Sequence, residues 1–282
     1  MDFALRVAGK PIKAVVTDLD GTLFQTKGAE KPEPHVLKYI ENIIDSGIFF
    51  AIATGRQYRN VRDMFGKLGA KMGFIVENGT YVTYRDETVS MDYLPRDIAD
   101  ELIADMKDIA GSEMMVSCAD VNYTVTDNIP FVEHLRQDVK YVTEIINDYS
   151  EIKTPILKIS INFPEGIPDD KNEFFHKKYD GRALVQKGGP KWLDIMPLGS
   201  GKGEGLKHLA DKVGMDLAQT LTLGDSENDL EMMKISGLSL AMATGFDIVK
   251  ENADAVVESA EEIIRLCAAQ SEKYLEYENA EN

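Results

Sequence analysis

The chain has 282 residues and a formal net charge of -17 at pH 7, enough length for one large domain or for a core carrying an inserted one. So acidic a chain, with no lysine or arginine run to form a basic stripe, is not expected to bind nucleic acid or an anionic membrane surface. Aliphatic residues are plentiful and Gly and Pro are not enriched, which excludes the disordered and fibrous classes.

The segment Met1 to Arg6 lacks the long apolar core of a signal peptide, and no apolar run in the chain approaches a membrane-spanning length. Cys118 and Cys267 lie far apart without metal-ligand spacing and read as small buried hydrophobes. A reducing, cytoplasmic setting is therefore expected. The acidic residues near the C-terminus, Glu276 to Asn282, read as a solvated tail.

Lys13 to Thr17 is a short β-branched apolar run stopping at Asp18, the pattern of a buried parallel strand. From Glu33 to Ser46, Val36, Leu37, Ile40, Ile43 and Ile44 recur at helical spacing, with Gly47 placed to end the helix. Two further runs, Ile48 to Ala53 and Phe74 to Val76, end at Thr54-Gly55-Arg56 and Glu77-Asn78-Gly79. The same grammar returns at Thr220 to Leu223, Leu238 to Met242 and Ala255 to Val257. Strands alternating with helices in this way predict a parallel α/β sheet built from right-handed crossovers. Between about Tyr84 and Lys191 the pattern changes to alternating strands (Met114 to Ser117, Tyr123 to Thr126, Leu157 to Phe163, Ala183 to Gln186) mixed with helices such as Asp97 to Ile109, which predicts an inserted α+β domain.

Asp18-Leu19-Asp20-Gly21-Thr22-Leu23 follows the first strand, so two carboxylates occupy the crevice outside a strand's carboxyl end, where open α/β sheets bind ligands. Their repulsion calls for a divalent cation, and carboxylate oxygens suit magnesium; an acidic turn that merely reverses the chain at Asp20-Gly21 is the alternative. Gly224-Asp225-Ser226-Glu227-Asn228-Asp229 stands at the equivalent end of a later strand and adds more polar and metal-competent groups. Thr54-Gly55 offers a hydroxyl and an unhindered backbone N–H, both suited to phosphate. Arg56 beside it reads either as part of that turn or as a helix-terminal salt-bridge partner. Lys202 lies in Gly199-Ser200-Gly201-Lys202-Gly203 ahead of an amphipathic helix from about Glu204. That glycine spacing fits neither a nucleotide P-loop nor a dinucleotide fingerprint. The lysine reads as a point charge for phosphate or carboxylates, or as a surface lysine in a turn.

Taken in order, these four elements resemble the haloacid dehalogenase-like superfamily. The position of the insertion, with Glu77-Asn78-Gly79, Asp225 to Met232 and Leu240-Ala241-Met242, is similar to the Cof-type branch of sugar-phosphate phosphatases. The resemblance implies a Rossmann-like core, residues 1–83 and 192–282, with an inserted α+β cap, residues 84–191, that selects a small phosphorylated metabolite. It implies Asp18 as nucleophile and magnesium ligand, and Asp20 as general acid and base with its backbone carbonyl on the metal. Asp225 would be a further metal ligand, with Asp229 in support. Leu19 (through its amide), Thr54, Gly55, Lys202 and Asn228 would bind phosphate. Ala243-Thr244-Gly245 departs from the Gly-Asn-Ala that the branch usually shows after its Ala-Met.

The four histidines form no spaced cluster and are assigned no chemistry. Trp192 reads as a core-facing strand residue at the junction with the insertion. A phosphomutase or phosphotransferase on the same scaffold, passing the aspartyl phosphate to a sugar hydroxyl, shares the same elements. A phospholigand-binding module without turnover is a more distant rival. The oligomeric state is not legible in the sequence.

Overall fold

The computed structural model describes residues 6–7, 10–25, 31–106 and 109–269. The acidic tail, most of the N-terminal segment and part of the loop before Glu33 lie outside the described residues. Among the described residues no helix is long and apolar enough to cross a membrane.

An eight-stranded sheet forms the first layer of the fold. Its order runs Ala255–Val257, Leu238–Met242, Thr220–Gly224, Ala14–Asp18, Phe49–Ala53, Gly73–Val76, then Tyr81–Tyr84 and Glu87–Met91. The first six strands are parallel and the last two antiparallel. Ala14–Asp18 is buried along its whole length, because parallel strands are covered on both faces and must be apolar throughout. Successive residues point to opposite faces. Val15, Ile52 and Phe74 therefore pack against Val36, Ile40 and Ile43 of the helix Pro34–Asp45, while Val16, Ala51 and Ile75 pack against Leu206, Leu209, Met232 and Met233 on the other side. The helix carries Pro in its first turn and is followed by Gly47 in the left-handed region, where a side chain would be strained.

A second, six-stranded sheet has the order Thr143–Ile145, Asn122–Thr124, Glu113–Ser117, Lys158–Asn162, Trp192–Pro197, Ala183–Lys187. One face, with Val116, Ile159, Ile161, Leu193 and Ile195, is covered by Leu102, Phe175 and Tyr179 from the helices Arg96–Met106 and Asp169–Tyr179. The alternate residues, Met115, Lys158, Ser160, Trp192 and Asp194, face a cavity at the carboxyl ends of the core strands.

The mixed α/β class and the parallel core thus match expectation, whereas sheet membership changes after Met91 and after Pro197 rather than at 84 and 191. Tyr81–Tyr84 and Glu87–Met91 join through Arg85 and Asp86, both at positive φ (52° and 63°). Such a two-residue turn is normally signalled by Asn-Gly or Gly, and Arg-Asp gives no such signal. Trp192–Pro197 pairs with Lys158–Asn162 and Ala183–Lys187; its apolar alternation fits either sheet, and pairing alone decides.

The helix Lys202–Val213 lies so close to the sheet that a Cβ on Gly205 would stand 2.6 Å from Ile75 Cγ2. Gly205→Ala is expected to cost about 1–3 kcal/mol by overpacking, despite alanine's better helix propensity. Urea unfolding measures it, and an unchanged or raised midpoint would show that this helix has room to shift.

Candidate active site

The chain reverses its strand order between Ala14–Asp18 and Thr220–Gly224, which are neighbours in the sheet. The loops after these two strands therefore splay apart and open a crevice between them. Asp18 ends the first strand and Asp225 follows the second. Gly21, at φ +87°, passes directly over the Asp225 carboxylate, leaving no space for a Cβ. Its turn lets Thr22 Oγ1 donate to Asp225 Oδ1 at 3.0 Å.

Lys202 opens its helix and is 1% exposed. Its ammonium donates to Asp18 Oδ1 and Asp229 Oδ1, both at 2.6 Å. The second oxygen of Asp229 accepts from the backbone amides of Asp225 and Ser226, each at 3.0 Å. Asp229 is thus fully engaged as a support for the loop. Asp18 Oδ2, in contrast, is buried without a hydrogen-bond partner.

Burial pushes the Asp18 carboxyl well above the usual carboxylate range; Lys202 opposes that, and Asp229 and Asp225 add to it. Asp225 is raised by burial first and by Asp229 second. Burial works against the charged form of Lys202, yet Asp18 and Asp229 together hold its proton well above the ordinary lysine range. Donor atoms of Asp18, Asp225 and Asp229 lie within 4.8 Å of one another. A bare carboxylate oxygen amid three crowded acids fits a hard divalent cation.

A cavity of about 310 Å³ opens beside this cluster, lined on the core side by Asp18, Asp20, Thr54, Gly55, Arg56, Ser226 and Asn228. Asp20 stands at its rim with its side chain 52% exposed, held by Arg56 through two hydrogen bonds of 2.6 and 2.7 Å. The salt-bridge alternative for Arg56 is therefore the contact observed, made to Asp20 at the rim beside the cluster. Leu19 buries its side chain completely in the core, so only its backbone is left for a ligand. The Ala243-Thr244-Gly245 loop packs on Asp225: Phe246 N donates to Asp225 O at 2.9 Å, and a Cβ on Gly245 would stand 2.7 Å from that oxygen.

Several residues with no role assigned from sequence converge here. Asn78, at φ 58°, takes up Asn228 Nδ2 at 3.2 Å and donates to Asp194 at 2.6 Å. Lys158 donates to the carbonyl of Gly55 at 2.8 Å and pairs with Glu77 at 3.1 Å and Asp194 at 3.7 Å. A lysine alternating with Leu157, Ile159 and Ile161 was the available signal, since lysine is almost never buried unless paired. Trp192 is in a strand and packs against the buried cluster of Met115, Phe131 and Leu135, its ring centroid 6.2 Å from that of Phe131, and it also lines the cavity.

Residues 15–263 match the haloacid dehalogenase-like hydrolase family. Among similar proteins, the 5-amino-6-(5-phospho-D-ribitylamino)uracil phosphatase YbjI of Escherichia coli is 22% identical over 82% of this chain and 85% of its own. The like-named phosphatase YcsE of Bacillus subtilis is 25% identical over 88% of this chain and 90% of its own. A solved subclass IIB sugar phosphatase of the superfamily superposes with a TM-score of 0.76 at 19% identity, over 92% of this chain and 98% of its own. The chain belongs to the haloacid dehalogenase-like hydrolases.

Lys202 is not a surface lysine in a turn, since it is buried between two carboxylates. Lys202→Met leaves two buried carboxylates unpaired and is expected to cost about 3–5 kcal/mol of stability, in addition to activity. Urea unfolding without added metal measures it; a loss below about 1 kcal/mol would place the lysine outside the structural framework.

Proposed function

We propose that the protein is a magnesium-dependent, cytoplasmic phosphatase that hydrolyses a small phosphorylated metabolite through an aspartyl phosphate on Asp18. The observation that carries this reading is the Asp18 side chain: one oxygen fixed by Lys202, the other buried and unpartnered beside the cavity. The names of the relatives and of the structural neighbour, phosphatases of a ribityl compound and of a sugar, support the substrate class. The inserted sheet acts as the cap that receives the organic part.

Asp18 and Asp225, with the backbone carbonyl of Asp20, would hold magnesium; when bound, the ion neutralises charge on the phosphoryl oxygens and orients the ester. In the first step an Asp18 oxygen attacks phosphorus, the bond to the leaving oxygen breaks, and Asp20 gives that oxygen its proton. In the second, water attacks phosphorus, Asp20 takes the water's proton, and the bond to Asp18 breaks to release inorganic phosphate. Lys202, by holding Asp18 Oδ1, keeps the nucleophile oriented. Thr54, the Gly55 and Leu19 amides and Asn228 serve the phosphoryl oxygens, whose charge is best stabilised by donors already in place. Arg56 holds the Asp20 rotamer at the rim.

Asp20→Asn provides the test, because a p-nitrophenolate leaving group needs little protonation. With p-nitrophenyl phosphate and magnesium, a burst of about one equivalent per site followed by slow turnover is expected, since only the second step still lacks its base. Asp18→Asn should give no burst, and chelator should abolish both phases. Equal loss on alkyl and aryl esters without a burst would remove Asp20 from acid and base duty.

A further inference from the structure

The cap side of the cavity carries a charge pattern that restricts the leaving group. This inference rests on the phosphatase reading and refines its substrate class. The cations lining the cavity are Arg56 and Lys158, and neither is uncommitted. Arg56 forks onto both oxygens of Asp20. Lys158, 3% exposed, is held between Glu77 and Asp194 and also donates to the carbonyl of Gly55. Burial pushes the Glu77 carboxyl up, with Lys158 opposing it. Glu77 at 3.1 Å and Asp194 at 3.7 Å both face the ammonium, so the two carboxyl groups together leave it no charge to offer a ligand.

Asp194 lies on the strand Trp192–Pro197, on the same face as Trp192. Its oxygens accept from Ser160 and Asn78. Every group directed at it is a donor, so a ligand group beside it must also donate. The rest of the cap wall is Met115, Leu135, Val139 and Trp192, with Gly188 and the phenol of Tyr141 beside them. Lys187 lines a separate recess with Glu227 and Phe246.

An anionic group on the leaving portion would enter a space that already holds Asp194 and in which, among the described residues, the lining cations Arg56 and Lys158 are both paired, so like charges would be brought together there. We propose that the leaving-group subsite, built by Asp194, Lys158, Ser160 and the apolar wall around Trp192, selects an uncharged organic part bearing O–H or N–H donors. Phosphate esters carrying a second phosphate or a carboxylate are rejected. Asp194 and Glu77 set this selection by neutralising Lys158.

The test uses isosteric pairs with the full-length protein and magnesium: para-carbamoylphenyl against para-carboxyphenyl phosphate, and a hexose monophosphate against the phosphorylated sugar acid of the same carbon chain. The neutral member of each pair is expected to have a kcat/KM about 100-fold higher. Asp194→Asn removes the carboxylate that faces the ligand beside Lys158 and should shrink that ratio by about 10-fold, mainly by raising kcat/KM for the anionic member. Glu77→Gln should act in the same direction, and it keeps the proposal testable if the Asp194 variant fails to fold. Ratios within about 3-fold in the wild type, or ratios that neither substitution moves, would overturn the charge selection while leaving the phosphatase reading intact. Absence of phosphate release from all four esters and from p-nitrophenyl phosphate would overturn the phosphatase reading, and this inference with it.

Discussion

The ammonium of Lys202 lies 2.6 Å from both Asp18 and Asp229 at a position only 1% exposed. Two carboxylates from strand ends on either side of the switch point are drawn together by this one cation. Asp229, so anchored, uses its other oxygen to gather the amides of Asp225 and Ser226, which shapes the loop that presents Asp225. Desolvation is what makes the arrangement demanding. A buried cation between two buried anions is tolerable only while all three remain, so the geometry of the nucleophile and the integrity of the core are coupled. The same arrangement leaves net negative charge and one unpartnered oxygen on Asp18, a defect that a divalent cation would satisfy.

A second buried lysine, Lys158, occupies the opposite wall in a parallel situation. It ties the inserted sheet to the core through Gly55 and Glu77, and is flanked on its own sheet by Asp194. Gly55 belongs to the turn proposed to receive phosphate, so the sheet that would read the organic part is bonded directly to the turn that would read the phosphoryl group. Val142 and Val139 from the inserted segment reach Gln57 and Asn60 of the core at 3.0 and 3.2 Å. Recognition of the two halves of an ester would thereby share one framework.

The parallel core was legible because buried strands and amphipathic helices leave strong periodic signals: Ala14–Asp18, Phe49–Ala53 and Leu238–Met242 lie within a residue of where the apolar runs place them. The acids at strand ends were legible for the same reason. The hairpin Tyr81–Tyr84 to Glu87–Met91 was not, since its turn adopts positive φ with Arg85 and Asp86 instead of glycine. Nor was the burial of Lys202, because a lysine in a glycine-rich turn looks the same in sequence whether solvated or paired. Partners separated by 184 residues for Lys202 and Asp18, or by 116 for Asn78 and Asp194, meet only once the sheets have formed.

The sharpest measurement for transfer through Asp18 is the stereochemistry at phosphorus, determined with a substrate ester made chiral at phosphorus by sulfur and oxygen isotopes and hydrolysed in isotopically labelled water. Two in-line displacements, first by Asp18 and then by water, each invert the centre, so net retention is expected. Net inversion would mean that water attacks the ester directly, and would contradict a covalent role for Asp18.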